Sequence, residues 1–498
     1  MTLLFDSSEW NFETIERIYD ACEEEARILK LDWYPNQLEI INSEQMVDAY
    51  SSIGLPVMYH HWSFGKHFSQ TWNSYQKGYQ GLAYEIVINS NPCISYLMEQ
   101  NSSTMQALVI AHAAFGHNHF FKNNYLFKTW TDAESITDYL IFAKNYIEEM
   151  ERKEGKDVVE EFLNSCHALM NYGVNRYKKP RKLRVDEEKK RKKDREDYEQ
   201  SRVDELYRLY AKPEEKDDKE ESEYLKEPEE NILYFCEKHA FKLKPWQREC
   251  IRIVRKLAAY FYPQPLTKVM NEGCASFVHY KIMTAMHEKG KISDGHYLEF
   301  LSSHANVLYQ PDFSSKRYNG LNPYKLGFEI FRDIERICLN PTEEDKYWSP
   351  DICNQDPKDV FLDVVANYRD ESFVQQFLSP KVIRDMRLFR LVDDTDRSFY
   401  NIKSIHNEDG YRDIRETLAR QYEREAYIPK IEVIARNKYT RTMTLRYTEH
   451  LGRKLKSVDE VMHHVRNLWG DHVVLTNENG MTTEKVDTPD LYGGAYYV

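Results

Sequence analysis

Val109 to Asn124 reads VIAHAAFGHNHFFKNN. It joins an apolar run and one glycine to three histidines, His112, His117 and His119. A second stretch, Lys268 to Tyr280, reads KVMNEGCASFVHY and sets Glu272 and His279 on small and apolar sequence. Both read as helices, over Thr104 to Phe121 and Thr267 to Glu288. The two are expected to meet and to hold a metal ion between them.

Spacing narrows the ligand set. His112 and His117 are five apart, which in a regular α-helix turns them ~140° away from each other. A π-bulge takes up one extra residue and brings i and i+5 onto one face. Gly116 is a plausible place for that distortion. His119 shares a face with His112 but stands ~10 Å further along the axis, too far for joint ligation. Glu272 and His279 are seven apart and so cannot both ligate from one unbroken helix. The expected metal set is therefore His112, His117 and Glu272, a His2Glu arrangement with an open position. A divalent metal is implied, with zinc the first choice, although iron and manganese suit the same donors.

The pattern invites comparison with zinc peptidases that carry HExxH and a later glutamate. Here Ala113 follows the first histidine, so the usual general base is missing. Glu85, Glu99, His119 and His279 are the candidates to replace it, and the residues do not choose among them. His60, His61 and His67 lie in aromatic-rich sequence and read as packing groups. No Walker loop, GxGxxG or GxSxG elbow is present, and the cysteines lack an evident His-Asn partnership.

Outward from these stretches, helical periodicity recurs over 9–31 (with Ser8 as a cap), 44–52, 94–99, 132–150, 157–178, 246–262, 295–308, 323–338, 356–367 and 371–378. Leu82 to Ile88 reads as a strand. Arg181 to Glu230 is dominated by charges of both signs and reads as a solvated insertion or docking segment. From about residue 383 the period becomes alternating, and a ββαββαβ order follows over 386–479. The expected class is mainly α with a C-terminal α+β domain. The expected divisions are 1–180, 181–230, 231–380 and 381–498.

The chain has 498 residues, room for several domains. Its net charge of −13 disfavours general nucleic-acid binding. No run of ~18 apolar residues predicts a membrane span. The eight scattered cysteines and the lack of a signal-like N-terminus point to the cytoplasm.

Several long motifs carry a resemblance: HWSFGKHF (61–68), GLAYEIVINSNPCISYLMEQN (81–101), LVIAHAAFGHNHFFKNNYLF (108–127), HALMNYGV (167–174), MNEGCASFVHY (270–280) and NPYKLG (322–327). Together they resemble the SpoVR family, the stage V sporulation protein R-like proteins, in the form found in Gram-negative bacteria. The resemblance implies a link to spore cortex or cell-envelope formation, or to a stress response. It also implies two partners, a PrkA-type serine protein kinase and a von Willebrand-like protein. It supplies no reaction. A metal-dependent hydrolase is the first expectation, and a non-enzymatic regulatory or scaffold protein acting with the kinase is the alternative. A di-metal oxidative enzyme would need paired ExxH motifs, which are not found.

Overall fold

The computed structural model describes residues 3–51, 55, 58–59, 61–62, 85–176, 224–313, 315, 318, 320–393, 400–423, 428–448, 457–477 and 482–486. His60, His67, the first three residues of the strand expected over 82–88, and 181–223 of the charged stretch lie outside these. The chain is mainly α with a C-terminal α+β part. It divides into two compact units, Met1–Val159 with Ala259–Tyr427, and Glu160–Ala258 with Ile428–Val498. Contacts thus part after Tyr427 rather than near residue 381.

The first unit is built around helices. α1 (Phe12–Ile28) buries Ile15, Ile18, Cys22 and Ala26 at helical spacing. Its cap is Asn11, whose side chain accepts from the Thr14 N–H at 2.8 Å, and not the expected Ser8. β1 (Asn36–Ile41), β2 (Glu85–Ile88) and β3 (Cys93–Met98) form a sheet in the order β1-β3-β2. β1 and β3 run parallel, and β2 and β3 antiparallel with Glu85 opposite Leu97. The expected helix over 94–99 is therefore a strand. Its side chains alternate, with Cys93, Ser95 and Leu97 inward, which is the strand period of two.

α2 (Ser103–Ile110) starts at Ser102, which accepts from the Met105 N–H. It runs directly into a π-helical segment, Ala111–His117, and then into α3 (Asn118–Asn123). At the exit the Asn118 N–H reaches back to the Ala113 carbonyl, a five-residue step. α4 (Lys268–Glu288) carries the second motif. Thr267 gives it no side-chain cap. Instead the Asp370 carboxylate, at the start of α7 (Asp370–Phe377), accepts from the Val269 and Met270 N–H groups at 2.9 and 2.8 Å. α5 (Asp294–Val307) and α6 (Pro323–Leu339) complete the surroundings of the site.

Small residues set how closely these helices meet. A Cβ on Gly116 would stand 2.6 Å from the Ala275 Cα, so the π segment lies almost backbone to backbone with α4. On the other side of α4, a Cβ on Gly273 would stand 2.4 Å from the Gly327 Cα of α6. α4 is thus held between two neighbours at near-contact distance. Phe115, Phe120, Val269, Met270, Phe300 and Phe331 fill the core around it.

The second unit holds a five-stranded sheet. Its strands are β4 (Tyr224–Glu229), β5 (Lys430–Arg436), β6 (Met443–Thr448), β7 (Val473–Thr476) and β8 (Thr482–Val486), in the order β8-β7-β6-β5-β4. β6 and β7 run parallel, which requires a crossover, and the helix Val458–Trp469 supplies it. Tyr224–Glu229 falls within the expected charged insertion, so the end of that stretch is a strand paired with β5.

Candidate metal centre

Four side chains converge where the π segment, α4 and the start of β2 meet. The π segment does what the spacing requires. It turns His112 and His117 onto one side, with ring centroids 4.6 Å apart and planes at 87°. Glu85 reaches in from β2, its Oε1 lying 3.1 Å from His112 Nε2 and 3.8 Å from His117 Nε2. Glu272 of α4 reaches in from the other side, its Oε2 lying 3.5 Å from His117 Nε2. One donor atom each from Glu85, His112 and His117 falls within 4.8 Å of the other two.

The other ring nitrogens are already engaged. His117 Nδ1 lies 2.9 Å from Asn271 Oδ1, an acceptor, so it carries the proton and leaves Nε2 as a lone pair. His112 Nδ1 lies 2.8 Å from His279 Nδ1. Glu85 Oε2 and Glu272 Oε2 are buried and have no hydrogen-bond partner. A His117 lone pair and two under-satisfied carboxylates facing one point are costly without a cation. The donors present therefore fit a divalent metal held by imidazole and carboxylate.

Electrostatics point the same way. Burial, with Glu272 beside it, pushes the Glu85 carboxyl well above the usual carboxylate range. Burial, with His117 and His279 nearby, pushes His112 well below the usual imidazole range. A metal ion would reverse the pressure on Glu85, since it favours the carboxylate, and would reinforce that on His112, since it favours the neutral ring.

The structure brings His112 and His117 together with Glu85, which the sequence offered only as a base, while Glu272, the expected third ligand, reaches His117 alone. Glu85 had no spacing signal, because it arrives from a strand remote in sequence from both motifs. His279 is not at the site's face but behind His112. His119 turns away, its Nδ1 lying 3.1 Å from the Asp32 backbone nitrogen. Glu99 is exposed in the turn after β3. His61 is buried beside Trp62, with ring centroids 5.7 Å apart.

The family described as "SpoVR like protein" matches residues 9–427, and "SpoVR-like C-terminal domain" matches 429–480. The junction between the two falls where the compact units part. The "Uncharacterized protein YcgB" of Escherichia coli (strain K12) is 53% identical over 481 residues, covering 96% of this chain and 94% of that protein. No solved structure matches. Among the described residues no helix is long and apolar enough to cross a membrane. With family matches running through both units, the chain belongs to the SpoVR family.

Proposed function

We propose that this chain is a metal-dependent hydrolase whose ion is held by His112, His117 and Glu85. The observation that carries the reading is the His117 Nε2 lone pair, with the His112 ring beside it, facing two buried carboxylates that each hold an oxygen without a hydrogen-bond partner. A bound divalent ion would supply Lewis-acid polarisation of a carbonyl and acidify water beside it. One Glu85 oxygen lies within 4 Å of both rings, and Glu85 would serve as the third ligand. Glu272 Oε2, 3.5 Å from His117 Nε2, would take the proton of an attacking water. It fills the role that the residue after His112 fills in HExxH peptidases.

The two carboxylate side chains are 16% and 17% exposed, against 4% and 8% for His112 and His117. A substrate therefore approaches from the carboxylate side. An amide or peptide bond, as in cell-wall precursors, is the substrate class this chemistry suits. The envelope or stress role and the kinase partner rest on the family resemblance alone.

Metal analysis of the purified protein tests the reading. About one zinc, iron or manganese per chain is expected, and loss of that metal in His117→Ala with the helical circular dichroism retained. A metal-free wild type that takes up none of the three on reconstitution would sink the proposal. Glu272→Gln should keep the metal while losing activity, and Glu85→Gln should weaken metal binding.

A further inference from the structure

Behind His112 stand two more histidines that the proposed chemistry does not use. His279 Nδ1 faces His112 Nδ1 at 2.8 Å, and His279 Nε2 faces His304 Nδ1 at 2.7 Å. The three come from the π segment, α4 and α5. His279 is fully enclosed, and His304, the most exposed of the three, is 7% exposed. Each nitrogen–nitrogen contact needs one proton, so the three rings must be ordered in one of two directions.

Only one direction suits a ligand. If His112 Nδ1–H donates to His279 Nδ1, then His279 Nε2–H donates to His304 Nδ1, and His304 carries its proton on Nε2. All three rings stay neutral, and His112 Nε2 is left as a lone pair facing Glu85. The reverse order places a proton on His112 Nε2, 3.1 Å from Glu85 Oε1, and blocks the ion. The surroundings of His304 hold it neutral. Lys325 and Arg332 lie near it, and Tyr280, Phe300 and Phe328 pack round its ring.

We infer that His279 and His304 are positioning residues, a hydrogen-bonded chain that fixes His112 as the Nδ1–H tautomer and aims its Nε2 at the metal. This deepens the metal reading above and rests on it. Metal ligands commonly have their second nitrogen fixed in this way by a carboxylate or carbonyl, and disturbing that partner costs 10–100-fold in metal affinity. Here a second and a third imidazole do the fixing, beside the Ala275 carbonyl, which also accepts from His112. A lone His279 on a helix offers no spacing signal for the role. His304 offers less, since it sits on a separate helix.

The test uses the full-length protein with Co(II) and Zn(II) as probes. Titration with Co(II), followed by its visible absorption, should show His279→Leu weaker than wild type by about 10–100-fold. His279→Asn keeps an acceptor near the Nδ1 position and should recover most of that loss. His304→Phe should weaken binding less than His279→Leu. In the zinc-loaded wild type, 15N NMR should find His112 as the Nδ1–H form and both His279 and His304 as the Nε2–H form, a pattern that needs no variant to fold.

The outcomes separate cleanly. A wild type that takes up no Co(II) removes the metal reading itself. A wild type that binds Co(II), with His279→Leu binding equally tightly, removes the positioning role alone. Finding His304 as the Nδ1–H form in the zinc-loaded protein overturns the proposed order directly.

Discussion

A buried histidine ring that must stay neutral carries its own pH dependence. Burial depresses His119 and His304 to about 4, against an ordinary value of 6.5. Because the folded values lie below the unfolded ones, the unfolded chain takes up protons first as pH falls. Full stability is present above about pH 6.5 and is lost progressively between there and about pH 4. From pH 7 to pH 5 each ring costs up to about 2 kcal/mol. Glu85 and Asp370, whose carboxyls burial raises, act in the opposite sense, so the test is a comparison: the Tm of metal-free His304→Phe should fall less from pH 7 to pH 5 than that of the wild type, and an equal fall would contradict a neutral buried His304. At this scale the sequence disclosed part of the site. The His112–His117 pair and Glu272 could be read because they sit close together within two motifs. Glu85 and His304 could not, because only the folded chain brings them near.

Helix spacing depends on which positions lack a side chain. Gly116 and Gly273 place backbones of the π segment, α4 and α6 in direct contact, and that contact holds Glu272 and Asn271 opposite the two histidines. Gly116→Ala must push the π segment off Ala275. A destabilisation of about 1–3 kcal/mol is expected, read as a lower Tm, together with weaker metal binding. Unchanged values for both would mean that the contact is not tight. The π turn itself was legible, since two histidines five apart beside a glycine make sense on one face only if the helix widens. β3 was not. Ile94 to Glu99 is too short a run to separate the helical from the alternating period, and its pairing partner β1 lies far upstream. The cap of α4 was equally hidden, because Asp370 supplies it from a distant helix.

Chain order and spatial order differ across the whole molecule. Each compact unit takes two separated pieces of chain, so the second unit needs its C-terminal piece to cover residues contributed much earlier. Phe235 stacks on Trp469 at 5.7 Å, and β4 pairs with β5. A chain ending at Tyr427 keeps every residue of the metal site but leaves β4 and Phe235 without that cover. Poor solubility and a lowered Tm are expected, measured by yield and thermal unfolding. A well-behaved truncated protein would argue against the pairing. The alternating runs that form β5, β6 and β7 were readable from periodicity, while the first two expected strands, Arg390–Asp393 and Tyr400–Ser404, pair with each other in a separate sheet. β4 and β8 were not read, β4 because it closes a stretch dominated by charge.

The π segment can also be viewed as an insertion of one residue into an otherwise ordinary helix. Deleting Ala114 would return the ligand histidines to the four-residue spacing familiar from zinc peptidases. Because the π turn takes up the extra residue, the helix downstream would keep its face, and Phe120 and Phe121, now buried, would stay turned to the core and shift only along the axis. The extra residue thus sets the ligand spacing locally, at the turn that also meets Ala275, and leaves the packing register beyond it intact.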